Sequence, residues 1–388
     1  MPPTFAAFAE AEHRERIARA RKSLREAGLA AVVAMGAENG YYLGGFDSWT
    51  AVNSPQALIF TPGDDEPTLL LRNLDVNLAL ESSWMTDIRT YRLRAEDPAR
   101  MIVDILEQKG VKTGTVGVDF DAAGISGGLA RTVVAALSPL KAEDATPLLG
   151  DLRLVKSPQE LTYIREAAGF ARCGLEAART AYRAGRTEIA VAADIEYAIR
   201  SAGGDYPASG IEFASGPRAA SGHGTPRSRV INTGELGHFE FAGVSNRYHT
   251  YAITTMAVGD PGPRAREIYE LNTASLKAGL AVAAKPGVPV SEIEERSLDP
   301  LRKLGLEDYA MMRFGYGIGA AYPPILGETL MIDRQSKQVL QPGMVFVLHS
   351  CIELVDEQLG AIQGGTYAMT DRGLEMLVGD GDAPLRVL

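Results

Sequence analysis

Three polar side chains stand where this sequence could support acid–base chemistry. His223 lies in a Gly-rich loop, Glu240 lies between two Phe residues in a strand-like run, and Glu328 follows a Gly. A loop imidazole can carry a proton near neutral pH. A carboxylate among apolar neighbours must find partners or take a raised pKa. These residue types suit a general base and one or two carboxylates that hold charge.

Each of these residues also has an ordinary structural explanation, and the pattern alone leaves the alternatives open. His223 could be a solvated surface residue, and Glu328 an ordinary surface carboxylate. Strand side chains alternate, so Glu240 could point outward while its Phe neighbours face the core. His349 ends an apolar strand, where a buried, hydrogen-bonded His is usual. Tyr248 and its neighbours could be packing residues.

The segment Gly315-Tyr316-Gly317-Ile318-Gly319 has Gly at every second position. Alternate Gly residues let another group approach one face of the backbone closely. Because no helical pattern follows, the run does not fit a dinucleotide-binding loop.

The elements that must position these residues begin near residue 152. Ser157-Pro158-Gln159-Glu160 has a capping Ser, Pro at the first helical position and Glu three residues after the Ser, so it predicts a helix start. Ser291-Glu292-Ile293-Glu294 predicts a second capped helix. Strand-like runs cover 238–242, 248–258, 344–348 and 366–369. Long helices with groups of strands predict an α+β domain over 151–388.

The first part of the chain has a different pattern. A charged helix is expected from Ala11 to Ala27, followed by a short strand at 31–35. Runs at 57–60 and 68–71 flank Thr61-Pro62-Gly63-Asp64-Asp65, which predicts a hairpin. A further helix is expected from Pro98 to Lys109 and a strand at 115–118. We therefore expect a smaller α/β domain over residues 1–150.

Composition limits the classes of function. The 388 residues carry a formal charge of −10, with 39 Lys+Arg against 49 Asp+Glu, which argues against nucleic acid or anionic lipid as partners. No apolar stretch approaches the roughly 20 residues of a membrane span, and the N-terminus has no signal core. We expect a cytoplasmic protein. Cys173 and Cys351 are expected to be buried free thiols.

The order of several segments resembles the pita-bread family of methionine aminopeptidase, prolidase, aminopeptidase P and creatinase. The matching segments are the entry at 152–160, the loop His223-Gly224-Thr225-Pro226, the Gly315–Gly319 run and the turn-strand at 340–346. The resemblance implies a creatinase-type N-terminal domain followed in sequence by a pita-bread catalytic domain.

Metallopeptidases of this family hold two metal ions with two Asp, one His and two Glu. The corresponding positions here are Glu240, Tyr251, Tyr316 and His349, and the last falls near Gly364. One carboxylate and one imidazole remain, which is too few for a dinuclear site that needs bridging carboxylates. The expectation is therefore an enzyme with no metal ligands and no cofactor.

The segments resemble most the metal-free members of the family, creatinase and ectoine hydrolase. The shared runs are Glu240-Phe241-Ala242-Gly243, Arg247-Tyr248-His249 and Gly315–Gly319 with Tyr322-Pro323-Pro324 and Gly327-Glu328. Two positions depart from the pattern, Thr254 in place of Arg and Leu326 in place of Trp. The resemblance implies hydrolysis of a C–N bond in a small zwitterionic amidine or guanidino compound, most like the ring opening of ectoine.

The roles implied by this resemblance can be assigned to single residues. Glu240 would be the nucleophile or electrostatic anchor, His223 the proton carrier and Glu328 the group that holds the substrate cation. The expected substrate-binding residues are Tyr248, Tyr251, Tyr316, Tyr322 and His349, with Trp49 and Arg72 closing the pocket. Family members of this type are usually homodimers, so we expect a homodimer.

Three alternatives remain at this stage. The first is a creatinase-like amidinohydrolase, and the second is a metal-dependent Xaa-Pro dipeptidase with divergent ligands. The third is an inactive protein that binds a small zwitterion.

Overall fold

The computed structural model describes residues 3–122, 125–310, 314–324, 326–381 and 383–388. Contacts between Cα atoms divide the chain into two compact units. One consists of Met1–Arg153 with Tyr322–Ile325, and the other of Leu154–Ala321 with Leu326–Leu388. Within the described residues, no helix is both long enough and apolar enough to cross a bilayer.

The N-terminal unit alternates short strands and helices. Its elements are α1 (Glu10–Glu26), β1 (Ala31–Ala34), α2 (Ala37–Gly44), β2 (Ala57–Phe60), β3 (Thr68–Arg72), α3 (Val76–Ser82), β4 (Ile88–Tyr91), α4 (Pro98–Gln108), β5 (Thr115–Val118), α5 (Gly127–Leu137) and β6 (Lys141–Asp144). The strands form one sheet in the order β4-β3-β2-β1-β5-β6, and α6 (Thr146–Leu154) follows.

The expected elements of this unit are confirmed. The β2 and β3 strands pair in antiparallel fashion across the predicted turn, and β1 pairs in parallel with β5. All four residues of β1 are buried, because helices pack on both faces of the sheet. The unit is therefore an α/β domain.

The C-terminal unit has long helices and two sheets. Its elements are α7 (Pro158–Ala181), α8 (Glu188–Ser201), β7 (Glu212–Ser215), β8 (Glu235–Ser245), β9 (Tyr248–Val258), α9 (Gly262–Val282), α10 (Val290–Ser297), α11 (Asp299–Arg302), β10 (Gly315–Gly317), β11 (Met331–Ile332), β12 (Val345–Leu354), β13 (Leu359–Thr370), β14 (Gly373–Gly379) and β15 (Arg386–Val387). The expected α+β class is confirmed.

The two sheets of this unit are joined through side-chain hydrogen bonds. One sheet has the order β15-β9-β8-β7 and the other β11-β10-β12-β13-β14. The Thr255 hydroxyl of β9 donates to the Ile362 carbonyl of β13 at 2.8 Å, and the Tyr251 amide donates to the Thr366 hydroxyl at 2.8 Å. The sheets therefore meet along β9 and β13.

Helix α7 begins as the sequence predicts. The Ser157 hydroxyl accepts the Glu160 amide at 3.2 Å, and the Glu160 carboxylate accepts the Ser157 amide at 2.8 Å, which completes the capping box. The apolar stripe of α7, including Ile164, Ala171 and Leu175, is buried. Its packing fixes the helix against the β7–β9 sheet.

Two sequence predictions are wrong. Ser291 does not cap α10, because the helix begins one residue earlier at Val290 and Pro289 occupies the N-cap position without a side-chain hydrogen bond. Ser291 therefore lies inside the first turn. Cys173 is exposed, whereas Cys351 is buried as expected.

Replacement of Ser157 by Ala should lower the free energy of unfolding by about 1 kcal/mol, because the Glu160 amide loses its capping acceptor. Urea denaturation followed by far-UV circular dichroism measures the change. Ser291→Ala is the matched control and should alter stability much less. An equal loss in both variants would contradict the role of the Ser157 cap.

Candidate active site

Glu240 is buried on one face of the hairpin formed by β8 and β9. Strands β8 and β9 pair along their whole length, and Phe239 and Phe241 point to the opposite face from Glu240. Phe239 stacks on Phe213 with ring centroids 4.2 Å apart. Glu240 is only 5% exposed. The alternative in which Glu240 points to solvent is wrong, because both faces of this sheet are covered.

Tyr316 connects Glu240 to the second sheet. The Tyr316 hydroxyl on β10 donates to Glu240 Oε1 at 2.7 Å. The Tyr316 ring lies 6.5 Å from the Tyr251 ring and 6.0 Å from the His349 ring, with T-shaped geometry in both pairs. Four strands thus bring Glu240, Tyr251, Tyr316 and His349 into one buried cluster.

Glu212 is a carboxylate of this cluster that the sequence analysis missed. In the β7–β8 pairing Glu212 lies directly opposite Glu240, a position where Cβ atoms are about 4.5–5.5 Å apart. Glu212 is half-buried, and burial raises its pKa to about 7. Burial, with smaller contributions from both carboxylates, raises the pKa of the Tyr251 hydroxyl. Only the strand pairing identifies Glu212, and that pairing is not visible in sequence order.

Glu328 is buried against the Gly-rich run, whose alternate Gly residues let a side chain approach closely. A Cβ at Gly319 would collide with the Glu328 carboxylate, and one at Gly317 would lie 3.5 Å from Glu328 Cβ. The Lys156 ammonium donates to Glu328 Oε2 at 2.5 Å, and both side chains are almost fully buried. The explanation of Glu328 as a surface residue is therefore wrong, and Lys156 balances its charge.

The loop that carries His223 is anchored by a buried carboxylate. Glu188, fully buried at the start of α8, accepts the Ser215 amide and hydroxyl at 2.8 Å each and the Arg227 amide at 2.9 Å. It also forms an ion pair with Arg218. These contacts fix both ends of the segment that contains His223, whose own side chain is exposed.

A second carboxylate ties this loop to β12. Glu353 Oε1 accepts the Gly222 amide at 2.6 Å and lies 3.7 Å from the Cys351 sulfur. Burial, Glu353 and Glu240 together raise the pKa of the Cys351 thiol. Cys351 therefore lies in the field of both Glu240 and the residue that anchors the His223 loop.

Tyr248 and His249 already have structural partners. The Tyr248 hydroxyl donates to Glu160 Oε1 at 2.7 Å. His249 Nε2 accepts the Ala208 amide at 2.9 Å, and Nδ1 lies 2.7 Å from the Arg247 carbonyl. Burial lowers the pKa of His249 to about 4, so the ring is neutral and bridges two backbone segments. A substrate-binding role for Tyr248 stays a prediction.

Three other predicted binding residues lie in the N-terminal unit. Tyr322 clusters with that unit, and its hydroxyl donates to Asp47 Oδ1 at 2.7 Å. Trp49 is 52% exposed. Arg72 ends β3 opposite Tyr91 of β4. Their roles toward a substrate stay predictions.

Thr254, which stands in place of an Arg, does not face the cluster. It pairs with Phe239, and its hydroxyl donates to Asp380 Oδ2 at 2.6 Å. The side chain of residue 254 therefore belongs to the opposite face of the sheet from Glu240, and the change to Thr does not alter the lining of the site.

The five positions that correspond to metal ligands converge, but their side chains do not fit a metal pair. Among the described residues no group of three or more His, Cys, Asp or Glu side chains could hold a metal ion. Gly364 lies opposite His349, and a Cβ there would fall 2.7 Å from His349 Cα. One carboxylate, one imidazole and two phenols do not supply bridging carboxylates.

Replacement of Glu188 by Gln should weaken the hydrogen bonds from the Ser215 and Arg227 amides, because a neutral amide oxygen replaces the carboxylate. Hydrogen bonds to a charged acceptor are worth about 1.5–3 kcal/mol, so both amides should open to solvent more often. We expect at least roughly 10-fold faster hydrogen exchange in the peptide that spans 215–227, measured by mass spectrometry. Glu196→Gln, an exposed position on the same helix, is the control. Unchanged exchange in the Glu188 variant would show that the loop is fixed by other contacts.

Comparison with known proteins gives consistent matches over the whole chain. The model of "Metallopeptidase family M24" matches residues 162–371, and that of the "Creatinase/Prolidase N-terminal domain" matches residues 16–155. The chain is 26% identical to the Xaa-Pro dipeptidase of Pyrococcus furiosus, over 81% of this chain and 84% of that protein. It is 29% identical to the ectoine hydrolase of Halomonas elongata, over 95% of this chain and 96% of that protein.

A solved structure supports the same assignment. The dipeptidase PepE from Mycobacterium ulcerans has a TM-score of 0.84 to this chain at 25% identity, covering 98% of this chain and 99% of that one. The M24 model alone spans more than half of the chain. The family predicted from the sequence is therefore confirmed: this protein belongs to the metallopeptidase family M24, with a creatinase-type N-terminal domain followed in sequence by a pita-bread catalytic domain.

Proposed function

We propose that this M24 hydrolase cleaves a C–N bond in a small zwitterionic amidine or guanidino compound without a metal ion, in the manner of an ectoine hydrolase. One observation carries the proposal. The five positions that correspond to the family's metal ligands form a cluster lined by Tyr251 and Tyr316 around the buried Glu240 carboxylate. The side chains of this cluster do not form a set of metal ligands, but a carboxylate between aromatic rings can bind an organic cation.

A cationic substrate suits this site on electrostatic grounds. Glu240 is buried, and Glu212 faces it across the strand pair. Two carboxyl groups removed from water are destabilised when both are ionised. An amidinium or guanidinium group would relieve that cost by accepting a share of the charge through its N–H donors. The aromatic faces of Tyr251 and Tyr316 add favourable contacts to a planar cation.

In the proposed mechanism, the sp² carbon between two nitrogens is attacked. Glu240 acts as nucleophile or as electrostatic anchor, and the Tyr316 hydroxyl holds its carboxylate in place. His223 activates water and returns the proton to the nitrogen that leaves, a role worth roughly 10²–10⁴ in rate. The Glu188 and Glu353 contacts place the His223 loop. Glu328, with its Lys156 partner, contributes a hydrogen-bond acceptor for the substrate nitrogens.

The similarity to ectoine hydrolase supports this assignment, because it extends over 95% of the chain. The principal alternative is an Xaa-Pro dipeptidase, which the names of several relatives favour. That reaction in this family depends on metal, and the donor set of the site speaks against it. A creatinase-like amidinohydrolase would use the same residues on a guanidino acid.

We further propose that the protein acts as a homodimer, as the resemblance implied. In such a dimer Trp49 and Arg72 would help to close the partner's site, with Arg72 as a clamp for a substrate carboxylate. Sedimentation velocity of the full chain would test the oligomeric state, and a monomer at micromolar concentration would reject this part of the proposal.

Incubation of chelator-treated protein with ectoine should open the ring and give an N-acetyl diaminobutyrate, followed by a proton NMR time course. Glu240→Gln should reduce the rate by roughly 10³-fold or more, because the attacking or charge-holding carboxylate is lost. Glu196→Gln should turn over at the rate of the unchanged protein. Substantial turnover by the Glu240 variant would end the assignment of Glu240.

The metal-dependent alternative makes an opposite prediction. Equilibrium dialysis against micromolar Mn²⁺ or Zn²⁺ should leave the protein without stoichiometric metal, because the site offers too few anionic donors. Activity toward an Xaa-Pro dipeptide should be absent with and without added metal. Two bound metal ions per chain together with dipeptide hydrolysis would support the dipeptidase hypothesis. Binding of ectoine with no product formed would favour an inactive binding protein.

A further inference from the structure

The pairing of Glu212 with Glu240 places two carboxyl groups side by side on one sheet face. The residues lie directly opposite in the antiparallel β7–β8 pair, so both side chains project to the same side at about 4.5–5.5 Å between Cβ atoms. The opposite face carries Phe213 and Phe239, whose rings stack. Both carboxyl groups are therefore directed away from the helices and toward the cluster.

The surroundings of this pair distinguish its two members. Glu240 is 5% exposed, and its Oε1 accepts the Tyr316 hydroxyl at 2.7 Å. Glu212 is half-buried, and burial raises its pKa to about 7. The Tyr251 hydroxyl, which lies 3.3 Å from the Ser209 hydroxyl, is in the field of both carboxylates. One edge of the pair is thus closed by phenols, and the Glu212 edge is nearer to solvent.

We propose that Glu212 is a further substrate-binding and specificity-determining residue, which with Glu240 clamps a planar cation that has two N–H donors. This inference rests on the proposed function and narrows its substrate class. An amidinium or guanidinium group can donate one N–H to each of two adjacent carboxylates. A primary ammonium is compact and has no such fixed pair of donors.

The groups that surround the pair on neighbouring strands are Tyr251 on β9, Tyr316 on β10, and His349, Cys351 and Glu353 on β12. Burial and nearby carboxylates raise the pKa of both Tyr251 and Cys351, so these two side chains carry no charge at neutral pH. The Glu353 carboxylate near Cys351 adds to the attraction of the pair for a cation.

The clamp also orients the reaction. A cation held by Glu212 and Glu240 through two nitrogens presents its central carbon between them. When water adds to that carbon, a C–O bond forms, one C–N bond breaks, and the electron pair of the broken bond passes to nitrogen. Both protons of the water finish on the released nitrogen, which leaves as an ammonium group that carries the positive charge of the substrate, and an oxygen electron pair forms the C=O bond of the product. Both carboxylates return unchanged.

Ligand-observed NMR titrations with acetamidinium and ethylammonium chloride test the clamp in the full chain. The unchanged protein should bind acetamidinium at least roughly tenfold more tightly than ethylammonium, because acetamidinium can make a charge-assisted hydrogen bond to each of the two carboxylates at once. Glu212→Gln should weaken acetamidinium binding by roughly 10-fold or more and remove the preference. Glu212→Asp, which keeps the charge on a shorter side chain, should retain part of the preference. Glu196→Gln is the control and should behave as the unchanged protein.

The results separate this inference from the proposed function. A preference for acetamidinium that survives in a folded Glu212→Gln variant, or no preference in the unchanged protein, would overturn the clamp. If the Gln variant fails to fold, as judged by circular dichroism, the Glu212→Asp variant decides instead, and a preference for acetamidinium as large as that of the unchanged protein would overturn the clamp. Ectoine hydrolysis with no cation preference keeps the hydrolase and rejects Glu212, whereas a Glu212-dependent preference without hydrolysis keeps the clamp and rejects the reaction.

Discussion

The buried carboxylate of Glu240 is the constraint around which the C-terminal unit is organised. A carboxylate removed from water is stable only when polar groups replace its hydration. The Tyr316 hydroxyl supplies one such group from the second sheet. The opposite strand face is filled by the stacked Phe213 and Phe239 rings. Helix packing on one face and a polar cluster on the other thus fix the position of β8, and β8 sets the position of the site.

Charge is balanced in the same way at three places in this unit, at the buried Glu188 and Glu328 and at the half-buried Glu353. Glu188 is satisfied by backbone amides and Arg218, Glu328 by Lys156, and Glu353 by the Gly222 amide. Glu188 and Glu353 therefore serve chiefly to hold loops and strands. The pair of Glu240 and Glu212 differs, because the two carboxylates lie opposite one another on neighbouring strands. A cation bound from outside the chain would therefore stabilise this pair more than the other carboxylates.

The sequence predicts local elements well where the signal is local. The Ser157 cap, the hairpin between β2 and β3 and the full extent of β9 follow from short patterns. It fails where distant segments meet. Ser291 matches the capping pattern, but the chain enters α10 one residue earlier. Glu212 has no signal of its own, because its importance comes from the strand opposite. The partner of Glu328, Lys156, is 172 residues away in sequence.

The close backbone contact at Gly364 limits which side chains this position can carry. A side chain at this position is obstructed by the backbone of β12, at the Leu348 carbonyl and His349 Cα, and not by a side chain that could turn aside. A larger side chain could fit there only if β12 and β13 moved apart along part of their ten-residue pairing. The identity of residue 364 is therefore coupled to the spacing of two strands. A single substitution at this position cannot add a side chain to the cluster without also moving the backbone that carries His349.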